Sequence, residues 1–240
     1  MLDSTRAAPI VFDGMATNSE CGPNAEPRRI IFQSLLIVLS LIIVFASASA
    51  QQNPPPKNRY EVLLEKLKNR DQSLDFKDLR LAYAETSAYN PYGSDKESQK
   101  AMFAAIKASQ WNEVLKQSAA ILDRNYLDIN AHFGALLANR GKGVTDKAEF
   151  HRFVARGLID SIRNSGDGKT TETAFVVIST DEEYALFSVL GLRVTAQALI
   201  NEKGHNYDKM TTVDPKTNET VIYYFNIDKP FNWLGNSLKQ

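Results

Sequence analysis

The sequence predicts an α+β fold, with N-terminal helical hairpins followed by a small antiparallel sheet with one helix. Three observations predict it. Apolar residues recur at three-and-four spacing from Tyr60 to about Ile162, the period of a helix with one buried face. Beyond Gly166 the spacing changes to strand-like runs. Between them lies Asn164-Ser165-Gly166-Asp167-Gly168, a composition that breaks both patterns.

The helical part is read in pairs. Tyr60, Leu63, Leu64 and Leu67 mark a first helix. Asp75 is placed to cap a second, whose stripe is Phe76, Leu79 and Tyr83, and Tyr89-Asn90-Pro91-Tyr92-Gly93 ends the pair. Ser94-Asp95-Lys96-Glu97 reads as a capping box with Ser94 at the cap. It opens a helix expected to bury Ala101, Ala104, Ala105 and Ala108. Gln110 to Leu122 is the next helix, and Asp123 to His132 turns into another.

The second part begins with Ala174 to Ile178, a short apolar, β-branched run that reads as a buried strand. Ser179 or Thr180 caps a helix with Asp181, Glu182 and Glu183 in its first turn, and Gly191 stops it. A three-stranded antiparallel meander follows: Arg193 to Ile200, Tyr207 to Val213 and Val221 to Ile227. The first is expected to set Val194, Ala196, Ala198 and Ile200 on one face. Val176, Ile178, Val194, Tyr223, Phe225 and Trp233 are the expected core, with Phe231, Trp233 and Leu234 covering an open edge.

Ahead of these parts, Arg28-Arg29 precede the apolar run Ile30 to Phe45, and Ala48-Ser49-Ala50 closes it. That is the layout of a secretory signal peptide cleaved after Ala50. The alternative is an uncleaved anchor, but the strongly apolar part is shorter than the roughly 20 residues a span needs. Translation starting at Met15 would shorten the leading segment. The expected organisation is a signal peptide or membrane anchor over 1–50, a Pro-rich linker over 51–57, helical hairpins over 58–164, and a small α+β region over 165–240 packed on the helices. The protein is expected to be exported, to the periplasm or beyond, or else held in the inner membrane by residues 30–50. Cys21 is the only cysteine, so the exported part is disulfide-free and depends on its core.

Two resemblances follow from these residues. Trp111 to His132 resembles the tetratricopeptide repeat, in which one hairpin ends in a short turn and an alanine, here Ala131, opens the next. Ser94–Tyr126 and Leu127–Ile162 span 33 and 36 residues, near the about 34-residue period of that repeat. Arg124 stands where the repeat has proline. The stretch Asp167 to Ser179 running into Asp181-Glu182-Glu183-Tyr184, with Tyr207-Asp208, Tyr224 to Ile227 and the upstream Tyr89-Asn90-Pro91-Tyr92, resembles a bacterial secreted family known as domain of unknown function 4919. That resemblance implies an envelope or secreted protein and no particular activity.

Local chemistry is sparse. The formal net charge is +0, which leaves no basic excess to hold nucleic acid. His132, His151 and His205 stand at no metal-ligand spacing, and no nucleophile elbow is present. Gly166-Asp167-Gly168-Lys169-Thr170 lacks the first glycine of a phosphate loop, where Arg163 stands. Asp181-Glu182-Glu183 diverge by about 100° per residue on a helix and read as helix-start electrostatics. No catalytic residue, metal or cofactor is expected. The expected function is a non-catalytic module of the cell envelope that binds a protein or peptide through the helical part, with Tyr89, Asn90 and Tyr92 as candidate partner-binding residues. Membrane contact is expected only through residues 30–50. The alternative is a hydrolase using carboxylates from separate elements. Two converging carboxylates in a deep cleft would mark the hydrolase. A shallow apolar or aromatic groove on the helical side would mark the binder.

Overall fold

The computed structural model describes residues 57–239, within a compact unit running from Pro56 to Gln240. The expected signal segment and nearly all of the linker lie outside the described residues. No helix among the described residues is long and apolar enough to cross a membrane.

Among the described residues six helices come first: α1 (Arg59–Lys68), α2 (Phe76–Tyr83), α3 (Lys96–Lys107), α4 (Trp111–Arg124), α5 (Ile129–Gly141) and α6 (Thr145–Arg163). Local signals start several of them. Asn58 and Glu61 close a capping box on α1, Asp75 accepts from the Lys77 and Asp78 amides of α2, and Asp128 accepts from Ala131 in α5. In α3 the cap is Asp95, which accepts from Ser98, and Ser94 lies one residue outside. The buried residues of that helix are Gln99, Met102 and Ala105, while Ala104 and Ala108 are exposed. Met102 is the larger apolar side chain, so it turns inward, and of the expected alanine row Ala105 is buried beside it. From α3 to α6 each helix packs on the next, and α3 also reaches α5. Met102, Val114, Ile121, Ala131 and Ala138 form the seam.

The rest is β1 (Phe175–Val176), α7 (Thr180–Leu190), β2 (Arg193–Glu202), β3 (His205–Val213), β4 (Thr220–Asn226) and α8 (Asp228–Ser237). The fold is α+β. The sheet order is β1-β4-β3-β2. The meander β2-β3-β4 is antiparallel, and β1 adds to β4 in parallel, so the sheet is mixed. A second helix, α8, closes this part. Gly191 stops α7 at φ +71°, a left-handed conformation that glycine adopts without a Cβ clash.

Alternation fails at two points. β2 carries a bulge between Val194 and Ala196. The extra residue turns Val194 away from the face shared by Ala196, Ala198 and Ile200. At β1 the core side chains are Phe175 and, just beyond the strand, Val177, with Val176 only half buried. Ile178 and Phe225 are buried; Val194, Tyr223 and Trp233 are half buried against the core. Of the expected terminal cover, only Trp233 packs inward, while Phe231 and Leu234 are exposed.

One hydrophobic cluster runs through both parts. Leu67, Leu79 and Leu158 from the helices meet Val177, Leu186, Phe187, Met210 and Phe225. A buried ion pair crosses the same junction. Arg80 on α2 donates Nε to Glu182 Oε1 on α7 at 2.8 Å, and a second nitrogen to Glu182 Oε2 at 2.5 Å. Arg80 also reaches Ser161 Oγ on α6 and the Val176 carbonyl, while the Ile178 amide donates to Glu182.

Candidate functional site

Three constellations carry chemistry. The first is an open groove of about 550 Å³ between α5, α6 and α7. Its apolar lining includes Phe133 and Leu136 from α5, Ala155 and Ile159 from α6, and Ala185 and Val189 from α7. Phe133 and Val189 are 45 % and 58 % exposed. Arg152, Arg156 and Arg163 line it beside a single acid, Asp160. At 100° per residue these arginines return to nearly one face of α6. Asp160 takes Arg156 at 3.3 Å and Arg163 at 3.9 Å, and Arg152 pairs with Glu149. Both arginines that Asp160 holds remain more than half exposed.

The second constellation is acidic and closed. Glu183 on α7 is fully buried, and among the described residues neither carboxylate oxygen accepts from a donor; the polar group beside it is the Asp208 carboxyl. Burial pushes its pKa well up, and the charge of Asp208 on β3 adds to that. Asp208 is 5 % exposed and also raised by burial. It accepts from Gln197 Nε2 at 2.8 Å, and the Tyr184 hydroxyl donates to Gln197 Oε1 at 3.2 Å. The three consecutive acids of α7 do diverge, but each has its own tertiary setting: Asp181 pairs with Lys96, Glu182 with Arg80, and Glu183 lies by Asp208. Helix-start electrostatics is only part of their role.

The third is a histidine pair. His132 on α5 is fully buried. Its Nδ1 lies 2.9 Å from Nδ1 of His151 on α6, and its Nε2 lies 2.8 Å from the Tyr126 carbonyl. Burial pushes the His132 pKa down to about 3 and lowers that of His151. The two stand 19 residues apart, on neighbouring helices. No group of three or more His, Cys, Asp or Glu side chains is placed to hold a metal among the described residues.

Tyr89, Asn90 and Tyr92 lie elsewhere. Tyr89 is 4 % exposed and donates its hydroxyl to the Ile178 carbonyl at 2.5 Å. Its ring and Asn90 line a cavity of about 20 Å³ shared with Asp128 and Glu182, room for about one water. Asn90 and Tyr92 are exposed, with the Tyr92 ring 6.1 Å from that of Trp233. None of the three lines the groove. The loop over residues 166–173 is a turn: the Gly168 amide donates to the Thr173 carbonyl, and Asp167 accepts from Lys169 and Thr173.

Fold and site together define an α+β protein with an apolar groove on its helices. The chain belongs to the family described as Domain of unknown function (DUF4919), whose model matches residues 49–234. No curated protein and no solved structure matches the chain.

Proposed function

We propose that this protein is an exported, non-catalytic binding module of the cell envelope, and that the groove between α5, α6 and α7 takes an amphipathic peptide segment with acidic flanks. The observation that carries the reading is the groove itself: an open apolar floor with three arginines against one aspartate. An apolar helix face fills such a floor, and carboxylates beside it meet the guanidinium groups. Export is supported by Arg28-Arg29 and the apolar run ending at Ala50; the family match begins at residue 49.

The second reading, a hydrolase, is favoured by one observation: Glu183 and Asp208 bring carboxyls together from separate elements. Their burial, with Glu183 0 % and Asp208 5 % exposed, favours the binding reading. The test is fluorescence anisotropy of the chain from Gln51 with acidic amphipathic peptides. Phe133→Asp and Arg156→Glu, both at exposed positions, are expected to weaken capture by about tenfold or more each. Equal binding by both variants would sink the groove. Turnover of an envelope polymer, lost in Glu183→Gln and Asp208→Asn, would replace the proposal with the second reading.

A further inference from the structure

We propose that the free edge of β2 pairs antiparallel with the same edge of a second copy of this chain, joining two sheets about a two-fold axis at Ala198. β2 is ten residues long, ends the sheet order and, among the described residues, has β3 as its one strand neighbour. An uncovered edge of that length offers a row of backbone donors and acceptors to any other strand, and folded proteins ordinarily guard it with charges, proline, bulges or a cover. Here Val194 to Asn201 carries no charge and no proline. Its one guard is the bulge at Val194/Ala196. β2 is also exposed on both faces, with Leu199 58 % exposed.

The partner is argued from register. Residues opposite each other in an antiparallel pair lie on the same face, so a strand pairs with its own copy only where the two positions share a face. Pairing with β3 defines those faces: Arg193 stands by Val213, Ala196 by Thr211, Ala198 by Lys209, Ile200 by Tyr207 and Glu202 by His205. These five therefore share one face. An unbulged strand would put Arg193 and Glu202 on opposite faces, because nine steps separate them. The bulge removes one step and brings them to the same side. With Ala198 on the axis, Arg193 of each copy stands opposite Glu202 of the other. Ala196 then meets Ile200, Gln197 meets Leu199, and Val194 meets Asn201.

The strand is thus charge-complementary to itself in this register and uncharged between its ends. Arg193 has no acidic partner within the chain among the described residues, and Glu202 is held by Thr171 and, at 3.9 Å, by Lys203. A small side chain sits where two copies cross closest. Edge pairing of this kind buries less than a standard interface, so the dimer is a weak one.

The test is sedimentation equilibrium across a concentration series on the chain from Gln51, which contains the whole compact unit. Four proteins are compared: the unaltered chain, Arg193→Glu, Glu202→Arg and the double variant. The unaltered chain is expected to reach twice the monomer mass at high concentration. Each single reversal places like charges opposite twice per dimer and is expected to raise the dissociation constant by about tenfold or more. The double variant restores the pairing and the dimer. Circular dichroism of each variant, together with that restoration, separates lost association from lost folding. A monomer at every concentration, as for an edge that serves an unrelated extended peptide, would overturn the proposal. So would a dimer indifferent to the single reversals.

Discussion

Replacing Arg80 by alanine tests the junction between the two parts. The guanidinium and the Glu182 carboxylate are 3 % and 6 % exposed, and their pairing is bidentate. Removing the arginine leaves a buried carboxylate with one remaining donor, the Ile178 amide at 2.8 Å. It also strips a donor from the Val176 carbonyl, whereas Ser161 keeps its bond to the Leu158 carbonyl. Breaking a buried pair from one side costs about 3–5 kcal/mol. For a chain of this size that lowers the melting temperature by roughly 6–20 °C. Urea unfolding followed by circular dichroism measures it. The double variant Arg80→Met/Glu182→Gln removes both charges and keeps an acceptor for Ile178, so it is expected to recover at least half of the loss. A loss below about 1 kcal/mol for Arg80→Ala would refute the reasoning, and so would a double variant no better than the single one.

Two further changes probe buried acids. Burial raises Asp128 from 3.8 to about 6, with the Ala131 amide opposing the shift. The folded state therefore resists its ionisation, and stability is lost as pH rises from about 4 to about 6, by about 3 kcal/mol once complete. Asp128→Asn keeps the cap and abolishes that loss, so it is expected to gain over the unaltered chain at pH 7 and not at pH 3.5; an equal difference at both values would count against it. Glu183→Gln removes a buried acid whose oxygens meet no donor among the described residues and which lies beside a second acid, Asp208, and is expected to stabilise by roughly 1–3 kcal/mol at neutral pH. Because the folded pKa is raised, this gain grows as pH climbs above the unfolded value near 4.5. Urea titrations at pH 4 and pH 7 that give the same gain would disprove the assignment.

What was legible in the chain was local. Asp75 and Gly191 mark helix ends through interactions within a turn of themselves, so short-range chemistry placed them correctly. The α+β division was legible for the same reason: the period of apolar residues changes across Asn164–Gly168. The Val194 face was misjudged because a bulge is one extra residue, and alternation counted along the chain has no way to register it. Tyr89 is a pair of opposites, an amphipathic ring whose hydroxyl is used by a carbonyl 89 residues away; nothing near it in sequence announces that partner. The groove left a readable trace in Arg152, Arg156 and Arg163, which share a helical face, but its floor needs α7 alongside α5 and α6. The histidine pair left a fainter one: His132 sits among Ala131, Ala135 and Ala138 in the buried part of α5.

That pair also fixes where its protons sit. A carbonyl only accepts, so the His132 nitrogen facing Tyr126 carries the hydrogen, and the other nitrogen of a neutral ring must accept. His151 therefore donates from Nδ1 and keeps a bare Nε2, which has no partner among the described residues. The tautomers of both rings are set by one backbone oxygen. Acid added to the outer ring leaves the internal bond in place, since the new proton goes to the opposite nitrogen; the inner ring has no vacant nitrogen of its own. The two imidazoles thus form a one-way filter, in which the half-buried His151 titrates while the buried His132 stays neutral. Their nitrogen resonances would move separately on acidification, His151 first and His132 only as the fold gives way.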